Sequence, residues 1–269
     1  MTNAKIGAII PIRLASERLP KKAIKDICGK PIVHHLLDRA FDSKYLEKEN
    51  VIVCTTEESS DDELVDVVEA YGANIYRGST DDLLKRFDNA IDDYGFDYII
   101  QIDGDDICAE PQYMDLTMDK LLSDVSLDTV SAKGLPLGIS TKSFSKRAMK
   151  KVIEKYRSTK NDTGFGSYFT EPAICNHVAI EPISENHVLD RIRLTLDYQE
   201  DFDFFNAIYT ELYVEGEVFH LEDILNLVRE KPEIIEMNYF LQEEYLERWH
   251  SKQNFFYSDG GEDLKKLDG

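Results

Sequence analysis

The sequence predicts an α/β protein with a mostly parallel central sheet flanked by helices. Short apolar runs alternate with amphipathic helical patterns through the first half of the 269 residues. The runs are continuous rather than alternating, which is the signature of strands buried on both faces. Strand and helix follow each other at the short spacing of βαβ units, which give parallel sheets covered by helices.

The elements follow in chain order. Lys5–Ile12 reads as a buried parallel strand. Pro31 opens a helix carrying Ile32, Val33, Leu36, Leu37, Ala40 and Phe41 on one face. Val51–Thr55 is the next strand. Asp61–Tyr71 is a helix through Leu64, Val67 and Val68, ended by Gly72. Asn74–Arg77 is a short strand, Asp81–Tyr94 a helix, and Asp97–Asp103 a strong central strand. Pro111 starts a helix over Gln112–Leu122. The second half is less regular. Strands are expected at Asp128–Lys133, Ala173–Ile180 and Arg191–Leu196, and helices at Phe144–Tyr156, Gln199–Tyr213, Leu221–Arg229 and Phe240–Trp249. Arg157–Gly166 reads as a polar mobile loop, and Ser258–Gly269 as a frayed acidic tail.

Composition excludes several functions. The chain carries 31 Lys and Arg against 52 Asp and Glu, a formal net charge of -21. Such a charge disfavours nucleic acid and anionic membrane surfaces as partners, and reads as a solubility adaptation. No apolar run reaches membrane-spanning length, and the polar start Met1–Lys5 has no signal-peptide character, so no membrane insertion is expected. Cys28, Cys54, Cys108 and Cys175 lie far apart, as free thiols of a reducing, cytoplasmic compartment do.

Against that acidic background, Pro11–Lys30 holds six basic residues and two acidic ones. Guanidinium groups fork onto phosphate oxygens and ammonium groups act as point charges beside them. Arg13, Arg18, Lys21 and Lys22 are spaced to grip several phosphates from different sides of one turn. By composition alone, a solvated basic turn stays equally open. Neither glycine-rich phosphate spacing is present, so dinucleotide and Walker-type loops are disfavoured. A second cluster, Asp103-Gly104-Asp105-Asp106, ends the central strand. Three carboxylates on one turn repel each other unless a cation sits among them, and oxygen ligands suit Mg²⁺. One Asp alone would read as a helix N-cap. Asp197 ends another strand-like segment and is a candidate second metal ligand. In parallel sheets, ligands sit outside the carboxyl ends of the strands, where the basic loop and the Asp103 turn both lie. Together these groups suggest phosphoryl or nucleotidyl transfer.

Several of these motifs resemble the bacterial sugar-acid cytidylyltransferases: CMP-Kdo synthetases, acylneuraminate cytidylyltransferases and, nearest in pattern, the spore-coat polysaccharide cytidylyltransferase-like proteins. Ile10-Pro-Ile-Arg13, Ser16-Glu-Arg-Leu-Pro20, Lys22 and Gly29-Lys-Pro31 are similar to the opening motif of the group. Arg77-Gly-Ser-Thr-Asp-Asp-Leu-Leu-Lys-Arg86, Arg193-Leu-Thr-Leu-Asp197 with Glu200-Asp201, and Pro232 through Asn238 extend the likeness over residues 6 to 238. The resemblance implies a Rossmann-like nucleotidyltransferase domain over residues 1–238. Within it, 133–190 would form an acceptor-binding and dimer-contact region, and 239–269 would follow as a C-terminal helix and acidic tail. It implies CTP as one substrate, an acidic small molecule as the other, Mg²⁺ as cofactor, and a homodimer.

Carried over by position, Arg13, Lys22 and Asp105 would be catalytic. Ile12, Arg13, Ser16, Arg18, Lys22, Arg77, Ser79, Asp82 and Asp103 would bind the nucleotide, and Asp105 and Asp197 the metal. Asp103 stands where relatives usually have Thr or Gln. Near Thr141 and Lys142 the usual glutamate is missing, so Lys142 and Arg193 become candidates for an anionic acceptor. The leading acceptor is a nonulosonic or ulosonic sugar acid. The alternative is a phosphonate or phosphorylated polyol, which the missing glutamate and Lys142 favour. A metal-dependent glycosyltransferase using Asp103-Gly104-Asp105 would leave the spacing of Arg13 to Lys22 unexplained. A non-catalytic nucleotide-binding regulator would be expected to lack Asp105 or Asp197. His34, His35 and His177 read as packing residues.

Overall fold

A computed structural model describes residues 4–158, 164–252, 255–258 and 264–267. In chain order it forms β1 (Ile6–Pro11), β2 (Asp26–Ile27), β3 (Lys30–Pro31), α1 (Ile32–Phe41), β4 (Val51–Thr56), α2 (Asp62–Tyr71), β5 (Asn74–Gly78), α3 (Leu83–Tyr94) and β6 (Tyr98–Gln101). There follow α4 (Pro111–Ser123), β7 (Thr129–Ala132), β8 (Lys142–Ser145), α5 (Lys146–Lys155), α6 (Ser167–Thr170), β9 (His177–Ile180), α7 (Gln199–Leu212), α8 (Leu221–Glu230), α9 (Gln242–Lys252), β10 (Phe256–Tyr257) and β11 (Lys265–Lys266). Seven strands make one sheet in the order β5-β4-β1-β6-β8-β7-β9, with β2-β3 and β10-β11 as two-stranded ribbons. The neighbours β5, β4, β1 and β6 are parallel, as are β7 and β9, and only β8 runs against its neighbours. This is the Rossmann-like, mostly parallel sheet flanked by helices that the sequence predicts.

The strand period of two explains the layering. Ala8, Ile10, Val51, Val53 and Ile100 point to one face and pack with Val33, Leu36 and Leu37 of α1 and Met114 and Met118 of α4. Ile9, Ile52, Cys54 and Ile99 point to the other face, against Leu84 and Phe87 of α3 and Met149 of α5. Each fully buried Val or Ile side chain stabilises the fold by roughly 1.5–3 kcal/mol. A third cluster joins α7 and α8 to Leu19 and Ile27 of the basic segment. That packing holds the segment beside the sheet's carboxyl edge.

Three expectations are corrected. The helix expected from Phe144 begins at Lys146, because Lys142–Ser145 pairs antiparallel with β6. Ser145 both ends that strand and caps the helix, its hydroxyl accepting from the Ala148 N–H at 3.1 Å. Residues 191–196 form no strand. Their backbone bonds run to loops instead, Leu194 N–H to Leu137 O and Leu196 N–H to Asp105 O, each at 2.9 Å. Gly138 at φ +93° allows this approach, since a Cβ there would lie 1.9 Å from Leu194 O. The tail is not frayed at 264–267, where β11 pairs with β10 and Leu267 is buried. The polar loop expected at 157–166 falls partly outside the described residues.

Glu110 joins two helix starts. It caps α4, is buried, and accepts from the Leu221 N–H at 2.7 Å and from His220 Nδ1 at 2.9 Å. The bond to Glu110 raises the His220 pKa against the effect of burial. Burial opposes charge on Glu110, yet His220, Arg39 and the Leu221 N–H together hold its pKa below the ordinary value. A raised His pKa stabilises fully below about pH 6.5, and that contribution disappears as pH rises through the raised value. A lowered Glu pKa stabilises above about pH 4.5, and that contribution disappears as pH falls through the lowered value. Wild type is therefore expected to exceed His220→Gln in thermal stability most near pH 6, with the gap narrowing at alkaline pH. A constant gap from about pH 5.5 to 9 would show that the ion pair contributes nothing.

Candidate active site

A cavity of about 860 Å³ opens at the carboxyl edge of the sheet. Its base is the basic loop. The buried Asp61 carboxylate anchors this loop by accepting from the Leu14 N–H at 2.7 Å and from Thr55 Oγ1 at 3.0 Å. The loop then doubles back: Lys21, in the left-handed region at φ 56°, returns its N–H to Leu14 O at 3.1 Å. Ser16 Oγ accepts from the Leu19 N–H at 3.3 Å and stiffens the same turn.

Lys22 occupies the centre. Its Nζ donates to Leu196 O at 2.5 Å and Asp197 Oδ1 at 3.1 Å, and lies 3.4 Å from Asp105 Oδ2. Arg18 donates to the same Asp197 oxygen at 2.7 Å and to the Tyr198 hydroxyl at 3.1 Å. Gly104 is what brings the acidic turn against the basic loop. A Cβ there would stand 2.3 Å from Pro11 O.

The charges are unevenly balanced. Burial opposes the ionisation of Asp197, but Lys22, Arg18 and Arg193 outweigh it and hold its pKa down. Burial in the cavity wall raises the pKa of Asp105, and the neighbouring Asp197 and Asp103 raise it further against the pull of Lys22. Burial, Asp105 and Asp103 push Asp106 well above the carboxylate range. Among the described residues, no cluster of three or more His, Cys, Asp or Glu is arranged to hold a metal. The oxygens available to a divalent cation are Asp105, Asp197 and the Leu196 carbonyl, all within 3.4 Å of the Lys22 Nζ. Two carboxylates with room for phosphate and water suit Mg²⁺, which rarely takes an all-protein cage. The unbalanced charge on Asp105 fits such a cation.

Of the residues singled out in the sequence, Ile12, Arg13, Ser16, Arg18, Lys22, Asp103, Asp105, Lys142 and Asp197 all line this cavity. Four do not. Arg77 donates to Thr56 O at 3.0 Å, Glu58 O at 2.9 Å and Asp62 at 2.7 Å. Ser79 accepts from the Asp82 N–H at 3.1 Å, and Asp82 caps α3 through the Lys85 N–H at 3.0 Å. Arg77 thus ties β5 to the end of β4 and the segment after it, Ser79 and Asp82 build the turn that starts α3, and Leu83 and Arg86 of that helix line the cavity. Arg193 is fully buried, with Nε 2.9 Å and Nη2 3.1 Å from the Asp201 carboxylate. Burial between Asp197 and Asp201 keeps it from any acceptor. It positions Asp197 instead, through Nη2 at 3.3 Å.

The cavity also contains Arg86, Phe165, Tyr245, Arg248 and Trp249, which sequence reasoning missed. Arg86 had a signal, because it closes the Arg77–Arg86 motif at helical spacing from Leu83. The α9 residues had none, since their contacts are tertiary: Tyr245 meets Arg193, and Arg248 meets Glu17 across 231 positions.

Comparison with known proteins agrees with this geometry. A sequence model of the family described as cytidylyltransferase matches residues 7–246. An uncharacterized protein of Methanocaldococcus jannaschii, MJ1063, is 30% identical over 87% of this chain and 94% of its own. A 3-deoxy-manno-octulosonate cytidylyltransferase of Yersinia enterocolitica is 31% identical over 62% of each chain. The chain therefore spans somewhat less than two thirds of that enzyme. Among solved structures, a cytidylyltransferase from Leptospira borgpetersenii superposes with a TM-score of 0.78 at 24% identity, over 87% of this chain and 97% of that one. A CMP:2-keto-3-deoxy-manno-octonic acid synthetase complexed with CTP gives 0.60 at 14%, over 77% and 99%. At these identities the superpositions establish a shared fold.

Proposed function

The chain belongs to the cytidylyltransferase family as a CTP-dependent nucleotidyltransferase, and from that premise we propose that it moves CMP from CTP to an acidic acceptor with release of pyrophosphate. The observation that carries this reading is the position of Lys22. A single ammonium lies between Asp105 and Asp197, shares an Asp197 oxygen with Arg18, and stands at the base of a cavity that Arg13 also lines. Such a mixed array of fixed charges suits a triphosphate with its counter-cation.

In this mechanism the acceptor oxygen attacks the α-phosphorus in line, and pyrophosphate leaves. Arg13 and Lys22 neutralise the phosphate oxygens, Arg18 supports them, and the Ser16 turn keeps the loop in place for the attack. Mg²⁺, held by Asp105 and Asp197, would supply further neutralisation of phosphate charge when bound. Arg193 and Asp201 keep the Asp197 carboxylate aimed at the cavity.

The acceptor would sit toward Lys142, which lines the cavity, lies against Gly166 and acts through its charge on the nearby Asp106. A sugar acid of the ulosonic type is the leading acceptor, in keeping with the name of the Yersinia enzyme. The cationic Lys142, with no glutamate beside it, favours a phosphonate or phosphorylated polyol as the second reading. A cytoplasmic homodimer is part of the same proposal. The four unpaired cysteines support the compartment.

A pyrophosphate-release assay with ATP, GTP, CTP and UTP, each against a panel of sugar acids, phosphonates and polyol phosphates, tests the proposal. Release is expected with CTP and one acidic class. Turnover of a sugar nucleotide without pyrophosphate would replace this reading with a glycosyltransferase.

A further inference from the structure

We propose that Arg248, on α9, is a phosphate-binding residue of the nucleotide site, with Glu17 holding its place until the triphosphate arrives. The inference rests on CTP being the substrate. Arg248 lines the cavity, and its Nη2 lies 3.0 Å from Glu17 Oε2. Glu17 stands in the basic loop between Ser16 and Arg18, so the Arg248 guanidinium is already at the loop that faces the phosphates. The pair is weak by construction, because its side chains are 36% and 85% exposed. Exposed ion pairs contribute about 0–1 kcal/mol. A triphosphate in the loop offers several anionic oxygens, two of which a guanidinium can grip at once with its fork. It would displace the single Glu17 carboxylate.

The helix does not depend on that pair for its position. The Tyr198 hydroxyl accepts from Arg18 and donates to Glu244 on α9, both at 3.1 Å. The Tyr245 ring lies over the Arg193 guanidinium at 4.3 Å. Arg248 is thus presented from a support tied to the same residues that hold Asp197. Beside it Trp249, the one tryptophan of the sequence, also lines the cavity. Its emission therefore reports ligand entry at this wall.

The test is titration of the full chain with CTP and, separately, with cytidine, read by calorimetry and Trp249 emission. CTP is expected to change the emission. Arg248→Ala should weaken CTP binding about tenfold and leave cytidine binding unchanged, with Arg248→Lys intermediate. Glu17→Gln should tighten CTP binding in the wild-type background and lose that gain in the Arg248→Ala background. Circular dichroism and thermal unfolding confirm that each variant is folded, and Arg248→Gln serves if the alanine variant is not. Undiminished CTP affinity in folded Arg248→Ala overturns the inference alone. So does a Glu17→Gln variant weakened as much as Arg248→Ala, because Glu17 would then be a tether. A wild-type chain that binds no CTP overturns the underlying function as well.

Discussion

Asp105→Asn is expected to lower turnover by roughly 10³-fold, about 4 kcal/mol of transition-state stabilisation, without loss of folded protein. The substitution keeps the shape and removes one charge. The Lys22 Nζ retains Asp197 at 3.1 Å and Leu196 O at 2.5 Å, so it remains in place. What disappears is an anionic oxygen facing the phosphates and their cation. Stability should move the other way. Burial, Asp197 and Asp103 all raise the Asp105 pKa, so the folded chain disfavours its ionised form. A carboxyl pKa raised by folding lowers stability progressively as pH climbs through and above the ordinary value. The neutral amide escapes that penalty, and the variant should melt at or above the wild-type temperature at neutral pH. Thermal unfolding beside a steady-state assay checks both halves. A folded variant with near-normal turnover would remove Asp105 from the chemistry, and a strongly destabilised one would make it a structural residue.

Asp201→Ala carries the second large effect, and here stability is the main readout. The Asp201 carboxylate accepts from Arg193, from the Asp197 N–H at 2.8 Å, from the Tyr198 N–H at 3.0 Å and from Asn238 Nδ2 at 2.9 Å. Both Asp201 and Arg193 are fully buried. Removing Asp201 leaves the buried Arg193 with Asp197 at 3.3 Å as its remaining carboxylate, and breaking a buried pair in this way costs about 3–5 kcal/mol. For a chain of this size that lowers the melting temperature by roughly 6–20 °C. Asp197 also loses its anchor, so turnover of the remaining folded fraction should fall. A melting temperature within about 2 °C of wild type would mean that Arg193 finds another partner or is not rigidly held.

The first half of the fold was legible because its signals are local. Val51–Thr55 reads as a strand from its consecutive residues, and the observed strand, buried throughout, runs one residue further to Thr56. Gly72 marks the end of α2 by its left-handed φ of 86°. Where the reading went astray, one local pattern served two structures. Apolar and polar residues alternate from Ile192 to Leu196 as in a strand, yet all of them are buried and their backbone partners are loops. Phe144, the one apolar residue of Lys142–Ser145, fits the start of a helix or the end of a strand, and only pairing with β6 decides between them. In the site, the motif residues of the basic loop and acidic turn were legible because both lie at strand ends. Arg193 was misplaced because sequence shows a cation and not its burial. Arg248 and Trp249 were invisible because only tertiary packing brings α9 to the cavity.

The ribbon strand β10 does more than pair with β11. The Phe256 carbonyl accepts from the Arg157 N–H and from the Tyr168 hydroxyl, both at 2.9 Å, so it braces the helix that follows Phe165 and Gly166 of the cavity wall. A chain shortened to remove Phe256 is therefore expected to lose that brace and to compete poorly for CTP.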